Sequence, residues 1–250
     1  MRNFDYESYY QKVAPIYDTV RLDKKNEFNS TLAIVLKNCK IDTTHILDIG
    51  CGSGRYAQAL SERGFEVIGV DKSKSQLEQA SKIINTRHCD ASNLPFDNNS
   101  FDICTMMSVI HQMSDAERYT AFNEVFRVLK INGCFIIKTC SHGDLKNRLT
   151  SSFWPKTLEN DLLRYPTIDK IKDELIKFTD INTKRTETKI ELPKNECLEE
   201  YRLRKSSNLG MLDDSEFLTG IQLIEKTYLK HKSILKRNCH TFLIAHKNSN

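Results

Sequence analysis

Three aspartates stand at or next to the ends of three short strand-like stretches of this 250-residue chain: Asp48 in "HILDI", Asp71 in "EVIGVD" and Asp90 in "TRHCD". The first leads into a glycine-rich loop, Asp48-Ile49-Gly50-Cys51-Gly52-Ser53-Gly54. Glycines in such a loop let the backbone adopt positive φ and come close to a ligand. Gly52-Ser53-Gly54-Arg55-Tyr56-Ala57 also satisfies the G-x-G-x-x-A fingerprint of dinucleotide sites, where a pyrophosphate sits on a helix N-terminus. An acid roughly 20 residues further on, here Asp71, takes ribose hydroxyls, and it serves any adenosine-containing ligand equally. Asp48 tips the balance. A carboxylate two residues ahead of the loop suits an ammonium group and not a pyrophosphate. Asp90, at a third strand end, can accept from an adenine amine. His111, in "MMSVIHQM", is the best single candidate for a general base, because an unperturbed imidazole titrates near pH ~6.5. A packed or structurally hydrogen-bonded loop histidine is the competing reading and carries more weight.

These residues need elements to hold them in place. Apolar runs at 45–49, 66–71, 101–107 and 134–140 read as strands, and 86–90 as a short strand between them. Amphipathic stretches at 55–63, 73–84 and 116–130 read as helices, the second capped by Ser73. Alternation of this kind implies βαβ units and a parallel sheet covered on both faces. Residues 1–40 read as helices, with Tyr9, Val13, Ile16, Tyr17 and Val20 at helical spacing. Past 141 the rhythm breaks. Residues 141–166 read as irregular, 167–178 as a helix capped by Thr167, 179–192 as a strand, 194–237 as helical and 240–247 as a closing strand. Two strands separated by a helical block suggest a terminal antiparallel pair carrying an insertion. In domain terms, one domain spans 1–250: an N-terminal helical lid (1–40), a ligand-binding core (41–140), two cap segments (141–166 and 193–238) and the end of the sheet (167–192 and 239–250).

Composition narrows the class. No stretch approaches the roughly 20 apolar residues a membrane span needs, and the polar N-terminus lacks an apolar signal core, so a cytoplasmic protein is expected. The eight cysteines include no C-x-x-C pair, which points to free thiols and no metal site. Residues 141–250 carry 20 Lys+Arg against 16 Asp+Glu, whereas residues 1–140 carry 17 of each. The basic stretches 202–205 and 228–237 fit a solvated helix face better than a nucleic-acid footprint.

The stretches "ILDIGCGSGRYAQAL", "VIGVDKS", "CDASNLPFDNNSFDICTMMSVIHQM" and "EVFRVLKINGCFIIKT" follow one another over residues 45–139, and "TFLIAHK" closes the chain. Together they resemble the class I S-adenosylmethionine-dependent methyltransferases, in particular the small-molecule branch with the ubiquinone and menaquinone enzymes. "YYQKVAPIYDTVR" is similar to that branch's N-terminal helix. The resemblance implies a Rossmann-like, doubly wound α/β fold, with a mostly parallel seven-stranded sheet, an antiparallel last strand and a helical cap in the C-terminal half. It implies S-adenosyl-L-methionine as cofactor and S-adenosyl-L-homocysteine as product. It places Asp48 and the Gly50 carbonyl at the methionine ammonium, with Cys51 in the same loop, and Gly52 and Gly54 where the methionine and ribose come close. Asp71 takes the ribose, Lys72 lies beside the adenine, and Asp90 with the Ala91 backbone meets the adenine amine. Ser108 lies near the sulfonium, and Tyr17 and Arg21 come from the N-terminal helix. The family's usual L-K-P-G-G turn is Leu129-Lys130-Ile131-Asn132-Gly133 here.

The leading functional expectation is methyl transfer to a small molecule through O, N or C, by in-line displacement governed by positioning. Methylation of RNA, chiefly tRNA, is the second reading, and a non-catalytic cofactor-binding subunit the third. Trp154 is either a pocket wall or a hydrophobic pin. Tyr201, Arg202 and Arg204 are candidates for an anionic acceptor, weighed against a solvated helix face. Asp97 and Asp102 read as structural.

Overall fold

The computed structural model describes residues 4–13, 24–38, 44–204 and 206–248. Seven strands form one sheet in the order β3-β2-β1-β4-β5-β7-β6. At its centre β1 (His45–Ile49) lies parallel to both β2 (Glu66–Asp71) and β4 (Phe101–Met107). β3 (Asn85–His88) adds parallel to β2 and β5 (Leu129–Thr139) parallel to β4, while β7 (Ser233–His246) runs antiparallel to β5. The mostly parallel sheet with an antiparallel last strand is therefore as expected from the sequence. β6 (Thr179–Pro193) lies at the edge.

The chain divides into two compact units. The sheet unit comprises residues 30–139, 166–185 and 241–250, and the helical unit residues 1–29, 140–165 and 186–240.

In the sheet unit, α5 (Asp115–Val128) buries Ala121, Phe122, Val125 and Val128. These are the 3.6-periodic positions that cover the central strands. Phe122 meets Phe135 of β5 edge-on, with ring centroids 5.5 Å apart. A Ser114/Glu117 capping box starts the helix. The buried Lys247 amine ends it, donating to the carbonyls of Phe126 and Leu129 at 2.7 Å each. α9 (Ile168–Glu174) joins the same core through Ile171, and its Glu174 takes both Arg118 Nε and Nη2, at 2.5 and 2.6 Å.

The helical unit has its own core. Trp154 stacks on Phe217 with centroids 5.8 Å apart and planes 10° apart, and its indole N–H donates to the Phe217 carbonyl at 2.9 Å. A Cβ on Gly220 would lie 1.9 Å from that indole nitrogen, so helix α12 (Asp214–Thr227) meets Trp154 at a position only glycine allows.

Several boundaries differ from the sequence reading. Residues 141–166 are not irregular but form α6 (His142–Lys146), α7 (Leu149–Phe153) and α8 (Pro155–Arg164). Ser141 caps α6, and Pro155 pre-sets the first turn of α8. The block after 193 contains α10 (Lys194–Arg202), α11 (Ser207–Gly210) and α12, but β7 already begins at Ser233, so the basic segment 233–237 is strand. The helix expected to reach 130 stops at Val128. β5 starts at Leu129, with a register shift against β4 and Asn132 at φ 64°. β3 ends at His88, which leaves Asp90 in the following turn.

Candidate active site

The site begins where β1 ends. The β-register sets Asp48 opposite Gly69 of β2 and Thr105 of β4. Asp48 is 2% exposed, and its Oδ1 accepts from Thr105 Oγ1 at 2.6 Å. Among the described residues no Lys, Arg or His pairs with it. Burial pushes the Asp48 carboxyl up to about 7, against the lowering effect of the Thr105 hydroxyl, and nearby Asp71 adds to the rise. A buried carboxylate without a cation is costly to ionise. Asp48 is thus prepared to be ionised by a positive group that arrives beside it.

The loop that follows is held by its glycines and by Asp71. Gly50, Gly52 and Gly54 take φ of 69°, 55° and 83°. A Cβ on Gly50 would lie 2.5 Å from Val109 Cγ2, so the backbone passes where no side chain fits. The Gly50 and Cys51 N–H groups both donate to the Val70 carbonyl, at 2.7 and 3.0 Å, which ties the loop to the end of β2. Asp71 accepts from Gly52 N–H at 2.9 Å on one oxygen and from Ser73 N–H at 2.8 Å on the other. Burial raises its carboxyl, and those two backbone N–H groups oppose the rise. Its orientation is therefore set, and each oxygen keeps a second lone pair for another donor. Gly54 opens α3 (Arg55–Ser61), whose N-terminus faces the loop with no side-chain cap. Burial, together with Asp48 and Asp71, keeps the Cys51 thiol protonated.

Asp90 is exposed and starts a turn in which its Oδ1 accepts from Ser92 N–H and Oγ–H, at 2.8 and 2.7 Å; these bonds lower its carboxyl, the hydroxyl most. Ala91 is packed against the core of the sheet unit, and Lys72 is exposed, with its carbonyl 3.0 Å from His88 Nε2. Ser108 stands past the end of β4 at φ 65°, exposed, with its N–H donating to the Lys138 carbonyl at 3.0 Å. His111 is buried in a 3-10 turn at Ile110–Gln112. The structure thus places Asp48, Gly50, Cys51, Gly52, Gly54 and Asp71 in one loop system. Lys72, Asp90, Ala91, Ser108 and His111 follow the C-terminal ends of β2, β3 and β4. Tyr17 and Arg21 lie outside the described residues.

The described positions, from Asp48 to His111, share the end of the sheet where parallel folds bind ligands. A cleft of about 890 Å³ opens at the other end, lined by the first residues of the strands, His45, Glu66, Asn85 and Phe101. Among the described residues no helix is long and apolar enough to cross a membrane, and no group of three His, Cys, Asp or Glu could hold a metal ion.

Sequence reasoning missed two residues of this site. Thr105 sits in an apolar strand, and only its register against β1 shows what it holds. Gln76 of α4 (Lys74–Ala80) is buried with its Oε1 3.5 Å from where a Gly52 Cβ would stand. Its only sequence signal is a polar residue beside Leu77 at an inward position. Trp154 is a hydrophobic pin. Arg202 and Arg204 pair with Glu225 and Asp214 of α12, at 3.4 and 2.9 Å. Asp102 is structural, accepting from His45 N–H and the Lys130 amine at 2.8 and 2.9 Å.

Known proteins add an independent line. Residues 47–137 match the methyltransferase domain family Methyltransf_11. The chain is 34% identical over 140 residues to the uncharacterized methyltransferase YcgJ of Bacillus subtilis, an alignment covering 52% of this chain and 53% of that protein. It is 32% identical over 150 residues to a malonyl-[acyl-carrier protein] O-methyltransferase of Legionella pneumophila, covering 57% of this chain and 52% of that protein. The chain therefore spans about half the length of the curated relatives it matches. The YcgJ crystal structure superposes with a TM-score of 0.62 at 21% identity, over 89% of this chain and all of that one. A Haemonchus contortus phosphoethanolamine N-methyltransferase 2, solved with S-adenosyl-L-methionine, superposes at 0.57 and 23% identity, over 88% of this chain and 53% of that one. These two superpositions establish the shared fold. Over residues 47–137 the chain is similar in sequence to a methyltransferase domain, and the curated relatives it resembles over about half their length are named as methyltransferases.

Proposed function

We propose that the chain transfers a methyl group from S-adenosylmethionine to a small-molecule acceptor, through O, N or C. The observation that carries this reading is Asp48: a buried carboxylate, raised to about 7 and without a cation among the described residues, beside a loop only glycine can form. Those residues suit a ligand with an ammonium at one end and a nucleoside at the other. When bound, the cofactor supplies an activated methyl group on a positively charged sulfur.

The protein's own residues position and exclude water. Asp48 and the Gly50 carbonyl hold the ammonium, and Thr105 fixes the carboxylate that does so. Gly52 and Gly54, with Cys51 between them, let the backbone come close. Asp71, oriented by Gly52 and Ser73, takes the ribose hydroxyls. Asp90 and the Ala91 backbone meet the adenine edge, with Lys72 at its side. Ser108 lies near the reacting sulfur, and the family resemblance adds Tyr17 and Arg21 as cofactor contacts. His111 is the candidate to take a proton from an acceptor that must lose one.

Two observations favour a small acceptor. The relatives with printed substrates act on small or carrier-bound metabolites, and four basic side chains of the helical unit are engaged by acids. Arg202 and Arg204 pair with Glu225 and Asp214 of α12, Arg237 pairs with Glu187 at 2.8 Å, and Lys236 pairs with Glu200. A cytoplasmic location belongs to the same proposal.

The deciding experiment supplies methyl-labelled S-adenosylmethionine with a metabolite extract and, separately, with tRNA. Label in a small molecule is the expected result. Label in tRNA with steep salt dependence overturns the acceptor class. Binding without transfer to either pool makes the chain a cofactor-binding subunit. His111→Ala is expected to lower turnover about 100-fold, the usual scale for a general base, with cofactor affinity retained; unchanged turnover removes His111 from the mechanism.

A further inference from the structure

Gln76 is an anomaly in the sheet unit. It lies in the first turn of α4, where its backbone N–H donates to the capping Ser73 Oγ at 3.4 Å. Its side chain is 3% exposed, and among the described residues neither Oε1 nor Nε2 has a hydrogen-bond partner. A carboxamide offers two donors and an acceptor with two lone pairs, and buried amides are satisfied as a rule. The other inward residues of α4 are Leu77 and Ala80, so an apolar side chain would fill the same volume with no polar cost. The Gln76 carboxamide is directed at one place. Its Oε1 lies 3.5 Å from the Cβ position of Gly52, whose N–H is held by Asp71.

We propose that Gln76 is a positioning residue for the Gly52–Gly54 turn. In the free protein its carboxamide is unsatisfied. In the cofactor-loaded protein the turn presents backbone groups to it, and the hydrogen bonds are made. The free state is thereby destabilised relative to the loaded one, and the difference appears as cofactor affinity. This inference rests on the methyltransferase reading, since it requires a ligand on the loop.

The test is Gln76→Met, an apolar replacement of similar volume, with Gln76→Leu as a second variant if the first fails to fold. Two quantities are measured: the melting temperature of the ligand-free protein, and the Kd for S-adenosylmethionine and S-adenosylhomocysteine by calorimetry. The expected result is a rise in the free melting temperature together with a roughly tenfold weaker Kd for both ligands, the scale of one hydrogen bond to an otherwise unsatisfied group. A merely structural amide cannot move these in opposite directions, because its loss lowers the melting temperature. The proposal is overturned if the free melting temperature does not rise, or if Kd stays within about threefold of wild type. Failure of wild type to bind either ligand would instead sink the methyltransferase reading itself, so the two failures are distinguishable.

Discussion

Asp48 in the sheet unit and Asp161 in the helical unit are the same residue type, 2% and 1% exposed, and they solve burial in opposite ways. Asp161, on α8, meets Arg148 Nη1 at 2.9 Å and Arg164 Nη2 at 3.6 Å, and accepts from Asn208 Nδ2 at 3.1 Å. Its charge is answered inside the protein. Arg148 is also bound to Tyr165 and Cys140, and burial holds the Tyr165 phenol up at about 12, so the cluster gains no second acid there. Among the described residues Asp48 has one hydroxyl for company and no cation. A buried carboxylate that the fold itself neutralises is a structural joint. One left without a counter-charge is kept for a charge from outside.

The sharpest way to break this contrast is to remove each charge in turn. Asp161→Asn leaves Arg148 and Arg164 buried without their acid. Breaking one side of a buried ion pair costs about 3–5 kcal/mol, so a large fall in melting temperature is expected. Hydrogen exchange should rise first in α6, α7 and α8. An unchanged melting temperature would mean that the cluster does not hold these helices together.

Asp48→Asn is expected to act the other way. The free protein loses a costly buried acid, and its melting temperature at pH 8 rises. Affinity for S-adenosylmethionine falls about 100-fold, the scale of a desolvated charge-assisted contact. Calorimetry reads the affinity and differential scanning fluorimetry the stability. Loss of stability together with retained affinity would make Asp48 structural, like Asp161.

The contrast was half legible in the sequence. Asp48 stood out because it ends an apolar strand just ahead of three glycines, and strand alternation with loops at the strand ends is written in short-range patterns. Asp161 did not, because it sits in a stretch whose polar residues read as irregular chain. Ser141 and Pro155 start helices there, but Trp154, just ahead of the last of them, packs on Tyr201 and Phe217, which lie far from it in sequence. Thr105 and Gln76 escaped for a related reason. What each does depends on register and on which helix face is inward, and neither follows from residue type alone. The early start of β7 has the same origin: "SILKRNC" is too polar to read as strand until its sheet neighbours are known.

A pH series sharpens the contrast further. The folded Asp48 carboxyl lies at about 7, above its unfolded value. Its contribution to stability is therefore present in full below pH ~4 and lost as pH rises through about 7. The free protein should lose stability across that window, and Asp48→Asn should flatten the loss. If Asp48 holds the cofactor ammonium as proposed, binding needs the ionised form, so affinity should rise about tenfold between pH 6 and 8 and level off above, with proton release at the lower pH. A flat affinity profile would show that Asp48 is already ionised in the free protein.

The smallest expected effect tests how Asp48 is tuned. Thr105 donates to the carboxylate and so favours its charged form. Thr105→Val removes that donor with little change in volume. The hydroxyl is present in both free and loaded states, so most of its contribution cancels in the affinity at high pH, where about a threefold loss is expected. At lower pH it does not cancel. Without Thr105 the carboxyl rises further, and the midpoint of the affinity–pH curve should move upward by about half a unit to one unit. A downward or absent shift would show that the hydroxyl does not set the ionisation of Asp48, and that its 2.6 Å contact serves only the packing of β4 on β1.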